Sequence, residues 1–185
     1  MKVLLINGSP HQQGTTELAL GFVAEELNAA GIETEIVWLG NDPIGGCMGC
    51  GYCRKNGGCV RGDIVNDVAA RVKEFDGYVF GSPVHFASAS GAITSFMDRL
   101  FYSARGDMKG KPAACVVCCR RGGASATFDQ LNKYFTISEM PVISSSYWNQ
   151  LHGPTREAAL NDTEGIGTMR CLGKNMAAWL LQSKQ

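Results

Sequence analysis

The chain has 185 residues, 45% of them hydrophobic and 18% charged, with 17 basic residues against 17 acidic ones and no formal net charge. That size and balance suit one soluble globular domain over residues 1–185 and exclude an intrinsically disordered chain. No basic stripe runs through the sequence and no apolar span approaches bilayer thickness, so neither nucleic acid nor a membrane is an expected partner. The first predicted element is a strand at Val3–Ile6. This apolar run is too short for a signal-peptide core, and a cytoplasmic protein is expected. Leu20, Val23 and Leu27 then repeat at three and four, predicting a helix that stops near Gly31. A second strand is predicted at Ile36–Leu39, followed by a helix carrying Ile64, Val68, Val72 and Phe75. Tyr78–Phe80 predicts the third strand, and Ile93, Phe96, Met97 and Leu100 the third helix. Ala113–Cys118 is the fourth strand and Phe128, Leu131 and Phe135 mark the fourth helix. Val142–Ile143, just after Pro141, is a weaker fifth strand, and Met169, Leu172, Met176 and Trp179 mark the last helix. The four main strand runs have the composition of strands buried on both faces.

Strictly alternating strand and helix implies right-handed crossovers and a parallel sheet. The expected fold is α/β, a flavodoxin-like three-layer sandwich: a five-stranded parallel sheet of order 2-1-3-4-5 with helices on both faces. In such sheets ligands bind beyond the carboxyl ends of the strands, at the switch point beside strand 1. The longest irregular stretches are residues 40–63 and 144–165, and loops of that length in a compact domain are usually functional.

Four cysteines, Cys47, Cys50, Cys53 and Cys59, stand in the first of these stretches with the spacing C-x2-C-x2-C-x5-C, in a Cys-rich loop at about 43–62. Two consecutive two-residue gaps let three thiolates converge, which suits the corners of a cuboidal 4Fe–4S cluster. Structural zinc sites more often use two separated pairs. Iron–sulfur, zinc and a set of reduced thiols without metal are the three readings of this run. Cys115, Cys118, Cys119 and Cys171 are expected as buried apolar side chains, with Cys119 also placed at a strand end where a thiol meets a ligand.

The loop after strand 1 reads Asn7-Gly8-Ser9-Pro10-His11-Gln12-Gln13-Gly14-Thr15-Thr16. Free N–H groups at a helix start, with the Ser9, Thr15 and Thr16 hydroxyls, can wrap a phosphate; the plainer alternative is a helix N-cap at Thr15 or Thr16. A Walker loop is excluded, because five residues rather than four separate Gly8 from Gly14 and no Lys follows. The loop after strand 3, Gly81-Ser82-Pro83-Val84-His85-Phe86, is small, stiff and partly aromatic, and suits the edge of a planar ring; taken alone, it reads more simply as a tight turn whose apolar residues cap the core. The loop after strand 4, Cys119-Arg120-Arg121-Gly122-Gly123, offers close backbone approach and a cation, or else Arg120 and Arg121 are solvated surface charges. Trp38 and Trp179 are expected in the core. Trp148 and His152 either fold the long loop after strand 5 or wall the ligand pocket.

Taken together these motifs resemble the NADPH-dependent FMN reductase family, and within it the iron–sulfur flavoprotein branch. The first loop is similar to the family's G-S-P-R-x-x-G-N-T, the strand-3 loop to its G-S-P-V-Y-F, and the cysteines to its compact C-x2-C-x2-C. Gly91–Leu100, Met140–Gly153 and Leu172–Met176 extend the likeness to nearly the whole chain. His11 replaces the usual Arg, Thr15 the usual Asn and His85 the usual Tyr.

The resemblance implies FMN held by Ser9, His11, Gly14, Thr15, Thr16, Pro83, Val84, His85, Phe86, Arg120, Gly122 and Gly123, and a metal centre at Cys47, Cys50, Cys53 and Cys59. It implies electron transfer through the flavin N5 with no general base or nucleophile, a homodimer or homotetramer, and NAD(P)H or a ferredoxin-like donor. Acceptors would be a quinone, a flavin, a metal chelate or a protein. Two other functions stand beside that oxidoreductase: an iron–sulfur flavoprotein acting as an electron carrier with a ferredoxin-like partner, and a non-catalytic thiol or metal redox sensor.

Overall fold

A computed structural model of the chain describes residues 1–183. The alternation within the first strand decides the layers. In β1 (Lys2–Asn7), Leu4 and Ile6 point to one face of the sheet while Val3 and Leu5 point to the other, and all four are buried. The Leu4 face is covered by α3 (Ile64–Ala69), α4 (Gly91–Met108) and α5 (Ala124–Ile137). Here Phe80 lies 5.7 Å from Phe101 and 5.5 Å from Phe135, ring centre to ring centre, within the range of favourable aromatic pairs. The Val3 face is covered by α1 (Thr15–Ala29) and α7 (Thr163–Gln182). These two helices pack closely because Gly173 has no side chain: a Cβ there would lie 2.7 Å from the Val23 carbonyl oxygen.

The remaining strands are β2 (Glu33–Trp38), β3 (Gly77–His85), β4 (Ser88–Ala89), β5 (Ala113–Cys119) and β6 (Gln150–His152). The order is β2-β1-β3-β5-β6, parallel throughout, with two-residue β4 folded back antiparallel on the end of β3. Leaving β4 aside, this is the flavodoxin-like order 2-1-3-4-5. Short helices α2 (Tyr52–Asn56) and α6 (Arg156–Ala159) interrupt the two long irregular stretches. Among the described residues no helix is long and apolar enough to cross a membrane.

Three expectations need correction. The fifth strand is not Val142–Ile143, which makes only an isolated bridge to Ala113; it is β6, seven residues beyond Ile143. β6 carries one apolar residue, Leu151, between polar neighbours, so an apolar-run search passes over it. The second helix ends at Ala69, and Val72–Glu74 form a tight 3-10 turn. Val72 and Phe75 still reach the core, so the period survives although the helix does not. Finally, β2 is an edge strand rather than a buried one, with Ile36 exposed.

Charges guard that edge, as is common for exposed strands. Both Glu35 carboxylate oxygens accept hydrogen bonds from Arg71 at 2.8 Å, and Lys2 Nζ lies 2.9 Å from one of them. The Arg71 bonds first, then the Lys2 bond, hold the Glu35 carboxyl down at about 2 against the upward pull of burial. A depressed folded-state value stabilises the fold above the ordinary carboxylate range, and this is lost as pH falls from about 4.5 towards 2. Glu35→Gln is therefore expected to lower the urea midpoint at pH 7 and to leave it near wild type at pH 2. An equal difference at both pH values would rule out this pair as the source.

Candidate functional site

The loop from β1 to α1 is shaped by contacts from three directions. Gly8 enters between β3 and α4, its N–H donating to the Gly81 oxygen at 2.9 Å; a Cβ at Gly8 would lie 2.6 Å from the Ile93 Cβ. The Ser90 hydroxyl, at the start of α4, donates to the Gly8 oxygen at 2.7 Å. Asn7 organises the loop from within, accepting from the Ser9 N–H at 3.0 Å and donating to the Gln12 oxygen at 3.2 Å. From β2, the Trp38 indole N–H donates to the Ser9 oxygen at 2.8 Å. Helix α1 begins behind an extended Gly14, and no side chain caps it. The N-cap is thus neither Thr15 nor Thr16, and the helix start turns its N–H groups and positive dipole end towards the loop.

Three strand ends meet this loop in one groove. Its walls are Ser9, His11, Thr15 and Thr16 from the first loop, Pro83, Val84 and His85 from β3, Cys118, Cys119 and Arg120 from β5, and Gly153 and Pro154 after β6. The loops after β3 and β5 interlock through Gly123. Its φ of +83° is open to glycine, and a Cβ there would stand 2.6 Å from the Ala87 Cα. The two thiols in the groove stay protonated at neutral pH. Burial pushes Cys118 up to about 12, and burial also raises Cys119. Cys118 Sγ lies 3.5 Å from the Thr15 backbone carbonyl oxygen and donates to it.

The four clustered cysteines occupy a second pocket, beside α4. Cys47, Cys50, Cys53 and Cys59 all line it, with Gly46, Gly49, Gly51, Arg61, Arg99 and Tyr102 among their neighbours. Cys47 and Cys50 are exposed, and the Gly49 N–H donates to Cys47 Sγ at 3.5 Å. Cys53 Sγ donates to the Tyr102 oxygen at 3.6 Å. Cys59 accepts from Arg99 Nε at 3.2 Å. Burial opposes the Cys59 thiolate, but the Arg61 backbone N–H and the Arg99 guanidinium outweigh it, and the thiol sits below its ordinary value. Among the described residues no three Cys, His, Asp or Glu side chains close on one point as a single-ion site.

A family model described as NADPH-dependent FMN reductase matches residues 1–153. The chain belongs to that family. An iron–sulfur flavoprotein of Methanocaldococcus jannaschii is 35% identical over 191 residues, covering 96% of each chain. Another, from Archaeoglobus fulgidus, is 36% identical over 159 residues, covering 80% of this chain and 78% of its own. Two solved structures speak for the fold alone. A flavone reductase superposes with a TM-score of 0.78 at 17% identity, over all of this chain and 65% of its own. A flavodoxin from the domain Archaea superposes with a TM-score of 0.65 at 15% identity, over 98% of this chain and 99% of its own.

In this FMN reductase family member, eight of the twelve expected flavin residues line one groove: Ser9, His11, Thr15, Thr16, Pro83, Val84, His85 and Arg120. Gly14, Phe86, Gly122 and Gly123 do not. Gly14 caps α1 through its backbone and Gly123 locks two loops together, while Gly122 is exposed. Phe86 stands fully in solvent at the β3–β4 turn, with a φ of +52°. Trp148 and His152 do not line the groove either. Trp148 is exposed against Tyr147, and the His152 backbone N–H donates to Asp162 at 2.7 Å, with the ring Nδ1 3.4 Å from the same carboxylate. Trp38 is not a core residue but a clamp on the first loop, whereas Trp179 packs half-buried against the α1–α7 layer. Cys171 is only partly buried.

Sequence reasoning passed over three residues at these pockets. Arg156, at the start of α6, donates to the Gly14 oxygen at 3.3 Å and pairs with Glu17, which ties α6 to the start of α1. Nothing in the sequence signals it before β6 is placed. Cys118 sits in an apolar strand and reads as core. Arg99 did leave a sign: a lone cation between Met97 and Leu100 on the apolar face of a helix.

Proposed function

We propose that this chain is an FMN-dependent oxidoreductase that takes electrons from NAD(P)H and passes them to a quinone, flavin, metal or protein acceptor. The observation that carries the reading is the meeting of three strand-end loops at the uncapped start of α1, in one groove. The residues fit FMN. The α1 N–H groups and the Ser9, Thr15 and Thr16 hydroxyls suit its phosphate. Pro83, Val84 and the Cys119 thiol give the ring an uncharged wall beside His85, and Arg120 supplies a cation at its rim. Bound FMN supplies the redox chemistry; the chain holds it, orients it and excludes water. The uncharged Cys118 and Cys119 add no negative charge beside it. A cytoplasmic location is part of the same reading, as is a homodimer or homotetramer, to which the exposed aromatic residues Phe86, Tyr147 and Trp148 lend support.

The gathering of all four clustered cysteines in one pocket favours a second, compatible reading: an iron–sulfur flavoprotein that works as an electron carrier. The donor set fits a 4Fe–4S cluster, being four sulfurs with N–H donors and a buried cation among them. Cys47, Cys50, Cys53 and Cys59 would hold it, and it would supply one-electron chemistry.

Anaerobic purification tests both. A flavin absorption spectrum is expected, with iron and acid-labile sulfide in equal amounts, and with rapid bleaching on adding NADPH or NADH. Protein that stays colourless after incubation with FMN would overturn both readings and leave a thiol or metal sensor. Flavin without bleaching would replace the reductase by the carrier, and stoichiometric zinc would reject the cluster.

A further inference from the structure

Helix α4 buries Ile93, Phe96, Met97, Leu100, Ala104 and Met108, and among them it buries Arg99, the largest fully buried side chain of the described residues. A guanidinium removed from water needs partners for its five donors, since an unpaired buried charge costs several kcal/mol. Arg99 finds all of them in the cysteine loop. It makes two parallel bonds to the Asp63 carboxylate, at 2.5 and 2.8 Å, and further bonds to the Arg61 oxygen at 2.9 Å and the Gly45 oxygen at 3.3 Å. Its remaining donor, Nε–H, reaches Cys59 Sγ at 3.2 Å.

The four cysteines are consequently unequal. The Cys59 backbone is clasped on both sides by Asn66, whose Oδ1 accepts from its N–H at 2.9 Å and whose Nδ2 donates to its oxygen at 2.8 Å. Backbone and sulfur of Cys59 are both held. At the other end of the loop Cys50 is exposed between two glycines with left-handed φ, Gly49 at +65° and Gly51 at +71°. Gly57, at +73°, and Gly58 precede Cys59 as well, so what fixes Cys59 is the Asn66 clasp and the Arg99 bond, whereas among the described residues no hydrogen bond holds Cys50 between its glycines.

We propose that Arg99 is the positioning residue of the cysteine pocket: its Nε–H sets the Cys59 sulfur as the fixed ligand on which the glycine-hinged Cys47–Cys53 end closes around an iron–sulfur cluster. The inference rests on the cluster reading above and assigns within it a residue that touches no iron. Arg99 also stabilises the more negative, reduced form of a cluster, because both its charge and its N–H···S bond strengthen as sulfur gains negative charge. Lysine cannot substitute, since an ammonium cannot make two parallel bonds to Asp63 and reach Cys59 in the same geometry.

The test uses the full chain with FMN, loaded with ferrous iron and sulfide under anaerobic conditions, as wild type, Arg99→Lys and Arg99→Gln. Flavin content and circular dichroism report the fold and are expected to match wild type. In both variants cluster loss to a chelator is expected to be about tenfold faster. The cluster's midpoint potential is expected to move to more negative values, with the flavin potential unchanged. Wild-type potential and retention in both variants overturn the proposal. Should the Arg99 variants fail to fold, Cys59→Ser and Cys47→Ser decide: the first is expected to abolish loading and the second to leave a labile cluster, and equal loss overturns it. Wild-type protein that loads no iron and sulfide refutes the cluster reading itself, whereas a loaded wild type with unchanged variants refutes only the role of Arg99.

Discussion

Thr15→Asp is expected to weaken FMN binding about 100- to 1,000-fold while leaving the apoprotein at least as stable as wild type. Thr15 is the first residue of α1 and lines the groove assigned to the flavin phosphate. A carboxylate there faces the phosphate at close range, and two unit charges near 4 Å repel by about 4 kcal/mol at a surface-like dielectric. The same carboxylate is favourable to the helix, because acidic side chains in a first turn stabilise it by about 0.5 kcal/mol. Binding and stability therefore separate. Riboflavin, which has no phosphate, is expected to bind both proteins alike, so fluorescence titration with the two ligands isolates the phosphate contact. Unchanged FMN affinity would mean that the phosphate lies elsewhere.

Asp63→Ala is expected to cost about 3 kcal/mol of stability, through two losses at one residue. Asp63 closes the paired bonds to Arg99 and also caps α3, its Oδ1 accepting from the Val65 N–H at 3.1 Å. Without it, Arg99 remains wholly buried with no opposite charge, the situation in which breaking a buried pair costs most. The low end of that range applies because the Asp63 side chain keeps 28% of its surface exposed. Asp63→Asn preserves the cap and isolates the charge, and is expected to fall between. Urea unfolding at fixed flavin load checks both. A loss below about 0.5 kcal/mol in the alanine variant would show that the pair does not hold the loop.

Much of this was open to sequence reasoning. Parallel strands covered on both faces read as apolar runs, so β1, β3 and β5 stand out, and α1, α4, α5 and α7 carry an unbroken apolar period. What escaped has one cause in each case. β6 has a single apolar side chain. The edge strand β2 has the composition of a buried strand, yet Ile36 within it is exposed. The break between α3 and the turn at Val72 leaves the apolar spacing intact. Local pattern reports which side chains are buried, and it reports the backbone path between them less well.

The sites divide along the same line. The order of the motifs was enough to identify the family, and strand ends in this topology converge whatever their side chains, so the meeting of the first loop, Pro83–His85 and Arg120 in one groove was legible. The four cysteines were legible as one run. Only the tertiary structure decided which of the glycines line the groove and which hold loops together, that Trp38 serves the first loop, and that Arg156 arrives from far along the chain. It also showed that Arg99 reaches Cys59 from a helix 40 residues further on. The reason is physical: apolar periodicity is a local property of the chain, whereas the partner of a buried charge is whatever the packed layers bring within about 3 Å of it.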